Sequence, residues 1–168
     1  DLIETVKAAK EKVFSKIDSY HIADALDQIF VVLRRANKYI DETMPWALAK
    51  DEAKKDRLAT VLYNLMETIT ITTTLLSPFM PSASENIIKQ CGTSFRAFDD
   101  LDKFGLLENG TKVTETPEII FKRFDAKEVN EKVEAMYESR KAPEKKEDKK
   151  EEDGEKKEDV QSDIPRGE

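Results

Sequence analysis

Residues 36–51 read ANKYIDETMPWALAKD. The stretch begins inside a long amphipathic pattern, meets Pro45, sets the chain's single tryptophan at position 46 and leaves on Lys50 and Asp51. Pro45 ends the helix before it, because its ring removes a backbone donor and restricts Met44. Trp46 at such a corner has two uses. It plugs the junction between two helices, or it offers a flat π-face and an indole N–H to something outside the protein. The high average burial of large aromatics favours the plug.

Upstream of the corner, Ala23, Leu26, Ile29, Phe30, Leu33, Asn37 and Ile40 recur at helical spacing, which predicts a helix over 21–43 as the spine of the fold. Asn37 lies on that stripe, as a buried amide bonded to a neighbouring helix or as a direct ligand contact. Ile3, Val6, Lys10, Val13, Phe14 and Ile17 predict a first helix over 2–18, broken at 18–20. Downstream, Asp51 is placed to cap a helix over 52–77, with Leu58, Leu62, Leu65, Met66, Ile69 and Leu76 on its core face. The run TITITTT at 68–74 alternates like a strand. The flanking helical period outweighs it, since each β-branched residue costs only a few tenths of a kcal/mol in a helix.

Residues 77–81, SPFMP, read as a rigid connector. Ser82 and Glu85 have capping-box spacing for a helix over 83–91, and Gly92 has the position of its C-terminal cap. Residues 93–125 form an irregular segment whose Phe95, Phe98, Leu101, Phe104, Leu106 and Leu107 are expected to fold back onto the helices. Val129, Val133, Met136 and Tyr137 predict a last helix over 126–140. In 141–168, eight basic and eleven acidic side chains with almost nothing apolar are the composition of a disordered charged linker. The expected fold is all-α: an antiparallel helix bundle over 1–92, an extended return segment over 93–125, a final helix and the charged tail.

The chain has 168 residues, a net charge of −7, one Cys and one His. That length suits one domain with a real core plus an appendage. A single Cys excludes a disulfide framework and fits a reducing compartment. With one Cys and one His no metal cluster is expected, and since no apolar run approaches the roughly 20 residues of a membrane span, no membrane is expected as partner. The N-terminus starts mid-pattern at Asp1 without an initiator Met or a signal-peptide layout, as an excised domain would. Acidity argues against a generic nucleic-acid binder, yet residues 34–57 carry seven basic against five acidic side chains, enough for a few phosphate contacts. Catalytic material is poor: His21 stands alone, Cys91 has no partner for nucleophile chemistry, and no Gly-rich loop follows a strand. No catalytic residue is assigned.

Asn37, Tyr39, Ile40, Asp41, Glu42, Pro45, Trp46 and Lys50, the helix ending LLSPFMP at 75–81, and PEIIFKRFD at 117–125 together resemble the anticodon-binding helical domain of methionyl-tRNA synthetases, a class I aminoacyl-tRNA synthetase family. The likeness covers most of 20–125 in order. It implies that Trp46 and Pro45 contact anticodon bases, with the first cytosine of a CAU anticodon at Trp46. Asp41 could accept from a cytosine amino group, and Asn37 joins the set. Arg34, Arg35, Lys38 and Lys50 are candidate phosphate contacts, or a solvated helix face.

The resemblance further implies methionine tRNA, initiator and elongator, as partner, and contact with a catalytic domain that this chain lacks. ATP, methionine and any zinc belong to that domain, because the family's HIGH and KMSKS signatures and a zinc-knuckle Cys pattern are not in the sequence; no cofactor is expected here. An Asn and an Arg on a helix before Asp1 are expected to add contacts, and an OB-fold tRNA-binding module to follow the tail. The location implied is cytoplasmic. The competing expectation is a helical protein-interaction bundle with a charged tether, no RNA binding and a buried Trp46.

Overall fold

A computed structural model describes residues 1–141; the tail expected over 141–168 lies, Lys141 apart, outside the described residues. These contain helices and no strand. They divide into two compact units, residues 1–121 and the part from Lys122 onward.

The first unit opens with α1 (Leu2–Lys7) and α2 (Ala9–Asp18), where the sequence predicts one helix. Ala8 remains right-handed, and bonds still run from its N–H to Glu4 O at 3.0 Å and from Lys12 N–H to its own carbonyl at 3.4 Å. The interruption is therefore a local adjustment rather than a turn. Helix α3 (Ile22–Thr43) is the 22-residue spine, α4 (Pro45–Leu48) is the corner, and α5 (Lys55–Leu76) follows a 3-10 turn at Glu52–Lys54. Helix α6 (Pro81–Cys91) completes the bundle. Short connections leave successive long helices antiparallel; α2 packs along α3, α3 along α5, and α5 along α6.

The core face of α3 departs from the sequence expectation. Ala25, Ile29, Val32 and Ala36 are buried, while Ala23, Phe30 and Asn37 of the expected stripe are exposed and Leu26, Leu33 and Ile40 flank the core. The buried line shares Ile29 with the expected one and is otherwise displaced by about one residue, roughly 100° around the axis. Two apolar lines coexist on α3, and the one that α1, α2 and α5 cover is the one lined by small Ala25 and Ala36, which let those helices approach. The buried-amide reading of Asn37 is thereby corrected.

Helix α5 is sheathed on nearly all sides in its second half: from Glu67 to Leu76 every residue except Ile69 is buried. Residues 68–74 are helical, as the flanking period predicts. The buried hydroxyls of Thr68, Thr70, Thr72 and Thr74 donate to the carbonyls four residues back at 2.7–2.9 Å, so their burial leaves no orphaned donor. Leu62, expected on the core face, is exposed.

Ser82 and Glu85 do not form a capping box. The helix starts earlier, with Pro81 at its first position and Met80 as N-cap, and no side chain caps it; proline's preset φ suits the first helical residue. Gly92 does end α6 in the left-handed region at φ +63°, and a Cβ there would overlap the carbonyl oxygen of Lys112 in the return segment.

That segment is irregular apart from a 3-10 turn at Phe98–Asp100. Leu101 is buried, Phe104 packs on the core and Phe98 lies 6.2 Å from Phe14 between ring centroids; Phe95, Phe98 and Leu106 stay largely exposed, against expectation. It is fastened to α5 by polar contacts. Glu67, wholly buried, receives Arg96 Nη2 at 2.9 Å and the Leu107 N–H, and Arg96 N–H donates to Thr74 Oγ1 at 3.0 Å. In the second unit, α7 (Ala126–Lys141) is the predicted last helix. Asp125 caps it by accepting from Lys127 N–H at 2.8 Å.

Candidate nucleic-acid interface

The corner between α3 and α5 is built from backbone constraints. Proline at 45 disfavours the right-handed region for its predecessor, and Met44 goes left-handed at φ +44° while its N–H still bonds Ile40 O at 2.9 Å. Pro45 then starts α4, and Ala47, Leu48, Ala49, Lys50 and Asp51 each donate a backbone bond within the corner. Asp51 closes it, accepting from Ala53 N–H at 3.1 Å. The Lys54 ammonium, 2.9 Å away, holds the Asp51 carboxyl below its usual range, and the Ala53 N–H adds to this.

Trp46 emerges from this corner 54% exposed. The plug reading is not what the structure contains. Pro45 is half-buried beside it, and α4 rests on α5. Asn37 and Asp41 are exposed, one helical turn apart on a single face of α3. Among the described residues, neither these two nor the indole N–H has a hydrogen-bond partner. An aromatic face with an amide and a carboxylate nearby along the chain has the groups that a base edge requires: an acceptor, a donor and a stacking surface.

The four cations divide into two pairs. Arg34 and Lys50 are exposed and without an ion-pair partner among the described residues. Lys38 faces Glu42 at 3.9 Å on the surface. Arg35 is different: its side chain is 14% exposed, Nε donates to Asp1 Oδ2 and Nη2 to Glu42 Oε2, both at 3.0 Å. It ties α3 to the start of the chain.

Three features of this region were missed in the sequence: the Arg35 tie, the bond from Asn64 Nδ2 to Tyr39 Oη at 3.2 Å, and the Glu67–Arg96 pair. Only the last had a signal, a carboxylate inside the otherwise uncharged run at 58–76. Among the described residues no cluster of His, Cys, Asp and Glu could hold a metal, and no helix is long and apolar enough to cross a membrane.

Residues 1–142 match the family described as the anticodon binding domain of methionyl tRNA ligase. A methionine--tRNA ligase of Clostridium tetani is 44% identical over 138 residues, 82% of this chain and 21% of that protein. One from Caldanaerobacter subterraneus subsp. tengcongensis is 46% identical over 127 residues, 74% of this chain and 20% of that protein. The chain thus spans about a fifth of the length of these relatives. Among solved structures, apo methionyl-tRNA synthetase of Mycobacterium tuberculosis superposes with a TM-score of 0.66 at 30% identity, over 74% of this chain and 25% of that one.

Proposed function

This chain belongs to the anticodon-binding domain family of methionyl-tRNA ligases, and from that membership we propose that its corner reads the CAU anticodon of initiator and elongator methionine tRNAs. Trp46 takes the first cytosine on its ring face, Pro45 holds the corner, Asp41 accepts from the cytosine amino group, and Asn37 bonds a base edge. Arg34, Lys38 and Lys50 meet phosphates. Arg35, tied to Asp1 and Glu42, contributes by holding α3. The observation that supports this reading is the half-exposed indole on a corner whose backbone is already fixed, so little conformational entropy remains to be lost on binding.

In the same proposal the domain serves aminoacylation carried out elsewhere in a longer ligase. ATP, methionine and any zinc would be handled there, in the cytoplasm, with an OB-fold module as a further tRNA contact. Support comes from the relatives' names and from their roughly fourfold greater length.

Titration with an anticodon stem-loop, followed by the fluorescence of the single tryptophan, tests the proposal. Quenching or a spectral shift with CAU but not with a scrambled loop is expected. Trp46→Ala, with binding read from the anisotropy of a dye-labelled stem-loop, should weaken binding about five- to 150-fold, since stacking a base is worth about 1–3 kcal/mol, and leave helical circular dichroism intact. Equal responses to both loops would refute it, and no response at all would favour the protein-interaction reading.

A further inference from the structure

We infer that the Tyr39–Asn64 hydrogen bond aims Trp46, which makes both residues positioning residues for the corner; the inference rests on the function proposed above. The indole has no side-chain hydrogen bond of its own among the described residues, so the point and bond from which it projects are set by the backbone. From Tyr39 to Trp46 that backbone has no free joint. Residues 39–43 are helix, Met44 is held left-handed ahead of a proline, and Pro45 and Trp46 open α4. Whatever fixes the last turn of α3 relative to α5 therefore fixes where the ring projects from the corner.

Tyr39 sits in that turn and is engaged at two ends. Its carbonyl receives the Thr43 hydroxyl at 2.7 Å, and its phenol oxygen receives Asn64 Nδ2 from α5 at 3.2 Å. Among the described residues this is the one side chain to side chain hydrogen bond between α3 and α5, and it joins residues 25 apart in sequence. Tyr39 also packs against the core, and α4 rests on α5. The corner is thus referred to α5 at two places, by the packing of α4 and by this strut. Removing the strut leaves only apolar packing, of α4 on α5 and of α3 with the Tyr39 ring on the core, to orient the corner, and part of the ordering is deferred to the moment a base arrives.

The test uses this chain with Tyr39→Phe, Asn64→Leu, both together, and Asn64→Asp, which preserves the bond with the Tyr39 hydroxyl as donor. Affinity for the CAU stem-loop, fluorescence anisotropy of Trp46 without RNA, and thermal melting are read for each. Tyr39→Phe and Asn64→Leu should each weaken binding about three- to tenfold, the range one hydrogen bond supplies, and lower the anisotropy. The double variant should be no worse than either, and Asn64→Asp should match the parent. Weaker melting with unchanged affinity and anisotropy would reduce the pair to a stability contact and overturn the inference, as would additive losses in the double variant. Should Asn64→Leu fail to fold, Tyr39→Phe decides. If the parent chain binds no stem-loop, the function fails, and the anisotropy of Tyr39→Phe still judges the strut: unchanged anisotropy refutes it.

Discussion

Tyr20 stands just beyond α2 with φ +63° and is 90% exposed. Its N–H bonds Ile17 O at 2.9 Å and the next N–H, of His21, bonds Lys16 O at 2.8 Å. This is the Schellman arrangement, in which the left-handed residue is usually glycine because a Cβ there is strained. Tyr20→Gly is expected to stabilise the chain by up to about 1 kcal/mol, the relieved strain less the added freedom of glycine in the unfolded state, seen as a higher melting temperature. Gly92 is the opposite case. Gly92→Ala meets both the left-handed backbone and the Lys112 carbonyl, and should cost more than about 1 kcal/mol by denaturant unfolding.

At the scale of elements, α5 keeps polar side chains in the interior by bonding them to its own backbone, and the consequence differs between neighbouring threonines. Thr72 Oγ1 donates within the helix, so Thr72→Val removes a donor along with its need for a partner and should change stability by less than about 1 kcal/mol. Thr74 Oγ1 also receives the Arg96 N–H. Thr74→Val leaves that amide unpaired and should cost about 1–3 kcal/mol in chemical denaturation. The 3-10 entry to α5 has a pH dependence of defined sign. Asp51 has its folded pKa lowered, foremost by Lys54, so its contribution is complete above the ordinary carboxylate pKa and is lost as pH falls through the lowered one. Acid titration followed by Trp46 emission should report loosening of the corner at that acidic limit, and Asp51→Asn should flatten the profile there.

Across the whole first unit, the return segment is kept on the bundle by the Glu67–Arg96 pair, with side chains 0% and 9% exposed. A buried pair broken on one side strands the other charge. Arg96→Met should therefore destabilise by about 3–5 kcal/mol, and Glu67→Gln added to it should recover most of the loss, measured as a double-mutant cycle of unfolding free energies. The Tyr63 hydroxyl, which donates to Leu107 O at 3.2 Å, has its pKa raised mainly by burial. Its share of stability is full below its ordinary pKa near 10 and is lost as pH rises through the higher folded value.

The long helices, the corner at Pro45 and the Gly92 stop were legible in the sequence because each rests on local rules: a 3.6-residue period, a ring without an N–H, a residue without a Cβ. The candidate site was legible for a different reason, since its residues form one contiguous stretch whose resemblance to a family carries over without knowledge of packing. Which line of α3 is buried was not, because two apolar lines compete there and only the placement of α1, α2 and α5 selects Ala25, Ile29, Val32 and Ala36. The same holds for Arg35, Tyr39 and Glu67. Their partners lie 34, 25 and 29 residues away, and a side chain's role as tie or ligand depends on what the folded chain brings against it.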